Sequence, residues 1–253
     1  MRQLKIRNFG PLDHIDLALD KSCNVVIGEQ AIGKSTLAKM IYFSLKMRDY
    51  LLECLSNPSG VKLKGGQYDW FLRYIRRRFM GCFGTTKHMR PFEISFDYDC
   101  SQTGNKGKQL ILRLKEKFVH ITFSPVMKSE INSLFKRAEE LYAQRDSVQL
   151  LNVYEDVIQD LQASQLIRQH LRQAVNVLFD IQEDILYIPA GRSVLATLSE
   201  QLQEIDTTDT SQMDLPLKEF ISLIQRLKKR FGMSMEGLVE QYTKLEARHI
   251  RKQ

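Results

Sequence analysis

The segment Gly28-Glu-Gln-Ala-Ile-Gly-Lys-Ser-Thr36 constrains this chain more than any other feature. It matches the G-x-x-x-x-G-K-[ST] pattern, in which successive backbone N–H groups wrap phosphate groups. It directly follows the apolar run Val25–Ile27, which predicts a short buried strand, and it opens a predicted helix at Lys34. The positive end of that helix would face the phosphates. The alternative is a glycine turn before an ordinary helix, and the strand–loop–helix order argues against it.

Each residue type in this phosphate-binding loop has a physical reason to be there. The glycines allow a close approach of the backbone and dihedral angles that a Cβ would penalise. Lys34 is expected to reach the β- and γ-phosphates, Ser35 to ligate Mg²⁺, and Thr36 to hydrogen-bond the α-phosphate. We therefore predict a site for ATP and Mg²⁺ formed by Gly28, Glu29, Gln30, Ala31, Ile32, Gly33, Lys34, Ser35 and Thr36.

Apolar periodicity predicts an α/β fold with a mixed sheet around the helix after the loop, an antiparallel β subdomain and a helical insertion. Residues 1–125 are expected to form a first lobe, 126–180 the helical insertion, and 181–253 a returning strand with a helical arm. The predicted strands are Leu4–Ile6, Ile15–Leu19, Val25–Ile27, 91–98, Leu110–Leu114, Val119–Phe123 and Asp184–Ile188. The predicted helices are 34–55, a segment around Trp70–Phe79, 127–179 and 215–253, the last interrupted near Phe231.

Composition excludes several classes of protein. The 253 residues are 43% hydrophobic and 26% charged, which is ordinary for a globular chain. No apolar run is long enough for a membrane span, so no membrane partner is expected. The four cysteines have no paired spacing, which favours reduced thiols and a cytoplasmic location. The formal net charge of +7 is compatible with a nucleic-acid partner.

The first 50 residues resemble the start of SMC-like ABC ATPases, a group that includes RecF and OLD-type proteins. The resemblance rests on Leu4–Leu12, the second strand Ile15–Leu19 and the stretch Asn24–Thr36. It implies a P-loop NTPase of ABC/SMC-like type whose adenosine packs near Arg7, Asn8 and the following Phe9. Arg7 and Asn8 can equally be surface polar residues at a strand end.

A second stretch, Asp184-Ile-Leu-Tyr-Ile-Pro-Ala-Gly-Arg-Ser193, resembles the Tyr-Ile-Pro-Ala-x-Arg segment of ATPases in bacterial defence systems. Overall the chain resembles PtuA-type ATPases of Septu and retron anti-phage systems. That resemblance implies a homodimer or higher oligomer through the ATPase heads, and a partner nuclease of HNH type. It also implies that Arg192, and with it Ser193, approaches the phosphates or the partner protomer. A plain strand-to-loop transition is the alternative.

Two further motifs of ABC ATPases are not recognisable, so no catalytic residue is assigned. Leu198–Leu202 lacks the glycines of a signature motif. Val177–Asp180 lacks the following Glu of a Walker B strand and continues a helical pattern. We therefore expect this chain alone to bind nucleotide with little hydrolysis. We expect the missing motifs to lie in sequence beyond Gln253 or in the other part of a split enzyme.

A basic and aromatic segment surrounds residues 70–79. At helical spacing Arg73, Arg76 and Arg77 share a face, which predicts contact with nucleic acid. The alternative is a solvated helix face over a buried aromatic stripe.

The leading hypothesis is the regulatory ATPase of an anti-phage defence system that controls a nuclease. The alternatives are a RecF-like ATPase that clamps DNA and a non-catalytic scaffold stabilised by ATP.

Overall fold

A computed structural model describes residues 2–19, 21–56, 66–98, 107–149, 156–189 and 213–231. Its strands are β1 (Gln3–Phe9), β2 (Leu12–Ala18), β3 (Glu93–Asp97), β4 (Gln109–Lys115) and β5 (Phe118–Phe123). Its helices are α1 (Lys34–Leu45), α2 (Met47–Leu55), α3 (Gly66–Phe83), α4 (Pro125–Gln149), α5 (Asp156–Phe179) and α6 (Leu215–Phe231), with a 3₁₀ turn at Thr86–His88.

The five strands form one antiparallel sheet in the order β2-β1-β3-β4-β5. The period-two alternation decides which side of each strand is buried, because successive side chains point to opposite faces. Ile6 pairs with Ile15 on one side and with Ile94 on the other, so the apolar side chains are brought to one face. The same face continues across β4 and β5 through Leu110, Leu112, Leu114, Val119, Ile121 and Phe123, all buried. The antiparallel β subdomain is therefore confirmed.

An aromatic cluster lies between this apolar face and the helices. Phe9 of β1 contacts the rings of Phe79, Phe83 and Phe92, and Phe43 of α1 contacts Phe79 and Phe83 as well. Edge-to-face aromatic pairs of this kind contribute about 1 kcal/mol each beyond the area that they bury. The cluster fixes α1 and α3 against the start of the sheet.

The helix predicted over 34–55 is two helices, because the chain bends at Lys46. The backbone N–H of Lys46 donates to the carbonyl of Tyr42 at 2.9 Å and closes the last turn of α1. The carbonyl of Ser44 accepts a hydrogen bond of 2.7 Å from the buried hydroxyl of Tyr98. α3 is longer than the predicted Trp70–Phe79, since the polar residues at its start belong to the first turns.

Two predicted strands are wrong. Val25–Ile27 and Asp184–Ile188 have no strand pairing within the described residues. Val25, Val26 and Ile27 are 76%, 46% and 90% exposed. A strand needs hydrogen-bonded neighbours, and the described part of the chain offers these segments none. The predicted mixed sheet is likewise not found there, since every described strand pair is antiparallel.

The chain separates into two compact units, Met1–Ile185 and Leu186–Gln253. In the second unit the described helix is α6, and its start is capped by the side chain of Asp214, whose carboxylate accepts a hydrogen bond of 3.0 Å from the N–H of Leu217. No described helix has the length and apolar character that crossing a membrane requires. The predicted arm after residue 231 lies outside the described residues.

Candidate nucleotide-binding site

The phosphate-binding loop rests against the turn between β1 and β2. Gly33 has a φ of 101°, and a Cβ added there would lie 2.7 Å from Cδ2 of Leu12 and 2.9 Å from Cγ of Pro11. Glycine is therefore required twice, once for its dihedral angle and once for space. The sequence predicted the first requirement and missed the second. The apolar Leu12 directly after Gly10-Pro11 was the available signal, since a buried side chain at a hairpin turn must pack on something.

Buried side chains of the core hold the hairpin turn in place. Phe9 pairs with Leu12 across the turn, and both side chains are buried. Gly10 occupies the first turn position with a φ of 59°, which suits a two-residue hairpin. Because Phe9 belongs to the aromatic cluster, the core fixes the turn, and the turn fixes Gly33.

The start of α1 leaves its first amides available to a phosphate. Gly33 at the N-cap offers no side chain to bond them, and no acidic residue lies in the first turn. Among the described backbone pairs of this turn, the first closes from the N–H of Leu37 to the carbonyl of Gly33 at 2.9 Å. Unsatisfied N–H groups at the positive helix end favour an anion. Ser35 is exposed at the same end, where its hydroxyl has access to a metal ion.

Lys34 folds back over the loop. Its Nζ donates to the carbonyl of Gly28 at 2.7 Å and to the carbonyl of Glu29. Ala31 closes the loop with a φ of 65°. The ammonium therefore lies at the loop's own mouth, held by two carbonyl dipoles. A triphosphate would offer it full negative charges instead, and a full negative charge attracts an ammonium more strongly than a carbonyl dipole does.

The loop and the apolar run before it lie at the surface. All of residues 21–30 are exposed, and Ile32 is 53% exposed. Within the part of the chain that the structure describes, the outer side of the nucleotide loop is thus open, while its inner side rests on the hairpin turn.

The residues predicted to contact the nucleotide outside the loop are placed differently. Arg7 pairs across strands with His14 and Glu93, on the face of the sheet opposite the apolar core. Asn8 is exposed and has a φ of 56°, in the hairpin that supports Gly33. Their contact with adenosine stays a prediction. Arg192 and Ser193 lie outside the described residues.

The rejection of Val177–Asp180 as a Walker B strand is confirmed. α5 continues to Phe179, and Val177 is 67% exposed on that helix. Asp180 then leaves the helix with a φ of 52°, and its carbonyl accepts a hydrogen bond from Arg2. Over the residues that the structure describes, no three His, Cys, Asp or Glu side chains gather as metal ligands.

The arginines of α3 lie in three different environments. Arg73 and Arg77 are exposed. Arg76 is half-buried and donates from Nε to the carbonyl of Val119 on the edge strand β5, at 2.9 Å. Arg78 bonds Glu53 at 2.9 Å and lies over the rings of Tyr50 and Tyr74. The predicted nucleic-acid face therefore includes one arginine that already has a backbone partner, and its nucleic-acid contact stays a prediction.

A glycine loop wrapped around its lysine, opening a helix whose first amides have no cap, defines a P-loop NTPase. A family model described as AAA ATPase domain matches residues 1–229. The chain belongs to this family of ATP-binding motor domains. Comparison with curated proteins gave no match, and comparison with solved structures gave none either.

Proposed function

We propose that this chain is the ATP-binding subunit of an SMC-like ABC ATPase, of PtuA type, that controls a partner nuclease in bacterial anti-phage defence. The observation that carries the proposal is the phosphate loop, which has Lys34 at its mouth and the uncapped start of α1 behind it. The ABC/SMC subtype is supported by the resemblance of the first 50 residues. The defence role is supported by the resemblance of Asp184–Ser193.

In this proposal the chain's own residues hold the triphosphate and do no further chemistry. Lys34 leaves the carbonyls of Gly28 and Glu29 for the β- and γ-phosphates. The amides of the first turn of α1 bind the phosphate oxygens, and Ser35 supplies an oxygen to Mg²⁺. MgATP supplies the negative charge and the cleavable γ-phosphate that would make the subunit a switch.

The exposure of the loop supports a second surface that covers it. Residues 21–30 are exposed on the outer side of the loop. Phosphoryl transfer needs a site closed to bulk water, and the described residues of this chain cover the nucleotide loop on one side only. We therefore propose that two ATPase heads meet over the nucleotide, as a homodimer or as part of a higher oligomer.

Thermal unfolding with and without MgATP tests the binding step. Saturating MgATP at about 100 times its Kd should stabilise the folded chain by about 2.7 kcal/mol, because only the folded state binds it. Lys34→Ala should lose most of that gain. Lys136→Ala, which removes an exposed lysine on α4, should keep it. An equal MgATP effect on Lys34→Ala and wild type would contradict the proposed site.

Co-purification tests the proposed role. The defence proposal expects an HNH nuclease to co-purify with the chain and to lose its regulation in Lys34→Ala. Tight duplex binding without such a nuclease would favour a RecF-like DNA clamp instead. Normal assembly and normal protection of cells by Lys34→Ala would favour a scaffold that ATP only stabilises.

A further inference from the structure

The sheet has a second face, which carries polar side chains. Its residues alternate with the buried apolar set, and within the described chain they are exposed or half-buried. Cross-strand pairing builds one row of this face from His14, Arg7, Glu93, Arg113 and His120. We call this surface the open face.

One large apolar side chain interrupts the open face. Phe118 is 66% exposed and lies at the start of β5, directly opposite Lys115 on β4. The next pair on the same face of the two strands is Arg113 with His120. Directly opposite residues have Cβ atoms about 5 Å apart, and diagonal neighbours lie about 7–8 Å apart. The phenyl ring is therefore surrounded by cationic and imidazole side chains, which are close enough to contact the same nucleotide as the ring.

The charges around the ring do not cancel. Arg113 forms an ion pair of 2.8 Å with Glu93. This hydrogen bond from Arg113, with Arg7 and Lys115 nearby, holds the pKa of the Glu93 carboxyl below its usual range. Four cations, Arg7, Arg113, Lys115 and Lys117, thus lie near two carboxylates, those of Glu93 and of the exposed turn residue Glu116. A positive surplus remains next to an exposed aromatic ring.

The turn between β4 and β5 positions Lys115 and Phe118 opposite each other, and its backbone conformation is strained. Glu116 and Lys117 have φ values of 49° and 65°, although neither is glycine. The left-handed conformation costs about 1–2 kcal/mol for such a residue. The turn is held by a hydrogen bond of 2.7 Å from the hydroxyl of Thr86 to the carbonyl of Lys117. That bond also brings the exposed Lys87 and His88 of the 3₁₀ turn to the same corner.

We propose that this corner of the open face, formed by Phe118, Lys115, Arg113, His120 and Lys117, binds single-stranded nucleic acid. One base stacks on the ring of Phe118, and the neighbouring phosphates bind the lysines. An exposed aromatic ring within a basic rim suits an unpaired base, because every base has a face to stack while a duplex keeps its faces inside. The site does not involve the phosphate loop, and it stands independently of the proposed ATPase role.

Fluorescence anisotropy with labelled oligo(dT) and oligo(U) of about 15 nucleotides tests the proposal on the whole chain. Phe118→Ala should weaken binding about 5- to 150-fold, the range measured when one stacked base is lost. Lys115→Gln with Lys117→Gln should lower the slope of log K against log salt by about 0.7 per lost phosphate contact. The charge-matched control is Lys136→Gln with Arg137→Gln on α4, which should leave the slope unchanged.

A spectroscopic variant keeps the test independent of affinity. Phe118→Trp should retain binding, and oligo(dT) should quench its emission, whereas the single natural Trp70 in wild type should not respond. Retained MgATP stabilisation in Phe118→Ala would show that any loss of oligonucleotide binding is not a loss of the ATP site. Equal oligonucleotide affinity of Phe118→Ala and wild type, or preference for a duplex of the same length, would overturn the proposal.

Discussion

At the scale of single residues, Gly33 joins the nucleotide loop to the fold. Gly33→Ala adds a methyl group 2.7 Å from Leu12 and 2.9 Å from Pro11, at a φ that alanine disfavours. We expect a loss of about 2–4 kcal/mol in the free energy of unfolding, combining overpacking with left-handed strain. Because the hairpin turn must move, MgATP binding should weaken as well. Urea denaturation and nucleotide titration measure the two effects.

Gly84→Ala is the matched control for this substitution. Gly84 has a φ of 82°, but nothing lies within 4 Å of the Cβ that alanine would add. It should therefore lose only the strain, about 1–2 kcal/mol, with MgATP binding unchanged. If Gly33→Ala and Gly84→Ala cost the same, the contact with the hairpin turn contributes nothing.

The loop could be predicted from its own residues because its pattern is local. The roles of Gly28, Gly33 and Lys34 follow from spacing and from the strand–loop–helix order. The contact between Gly33 and Leu12 could not be predicted in the same way. It joins residues that are far apart along the chain, and it depends on how the aromatic cluster sets the hairpin turn.

At the scale of elements, Arg48 ties α2 to the segment after α5. Its side chain is 1% exposed, bonds Asp49 at 2.8 Å, and donates to the carbonyl of Glu183 at 2.6 Å. We expect Arg48→Met to lose about 2–3 kcal/mol of the free energy of unfolding, since charged hydrogen bonds are lost from a buried site. The rate of amide hydrogen exchange should rise most at residues 181–185, relative to wild type. Mass spectrometry of exchanged peptides measures that rate.

A matched control for Arg48 lies on α5. Arg172 pairs with Asp184 at 2.8 Å, but the two side chains are 53% and 89% exposed. Arg172→Met should therefore cost only about 0.5 kcal/mol, as exposed ion pairs do. Comparable losses in the two variants would mean that burial of Arg48 does not matter.

The strands could be predicted from the sequence where buried apolar residues alternate with exposed polar residues. The alternation in β1, β3, β4 and β5 predicts strands, and the five-stranded sheet confirms them. Val25–Ile27 has an equally apolar sequence, yet it lies exposed and unpaired in the described structure. Whether such a segment forms a strand depends on a hydrogen-bonded neighbour, which an apolar run does not specify. The burial of Arg48 could not be predicted, because a charged residue on a predicted helix is expected to face solvent.

At the scale of the whole molecule, we expect the exposed run Val25–Ile27 to promote self-association. Val25–Ile27 have no strand pairing within the described residues, so their backbone N–H and C=O groups can pair with another strand. In purified protein the available strand is that of a second copy. We expect the weight-average sedimentation coefficient to rise with concentration. Val25→Lys with Ile27→Lys should abolish that rise, since lysines on an unpaired strand oppose pairing.

The matched control places the same charges on an exposed helix. Leu166 and Val177 on α5 are 65% and 67% exposed, but their backbone groups already bond within the helix. Leu166→Lys with Val177→Lys should therefore leave the concentration dependence as in wild type. If both double variants suppress association equally, the cause is repulsion from the added net charge. Strand pairing at Val25–Ile27 would then not explain the association. MgATP stabilisation measured on each variant separates a damaged nucleotide loop from a blocked strand.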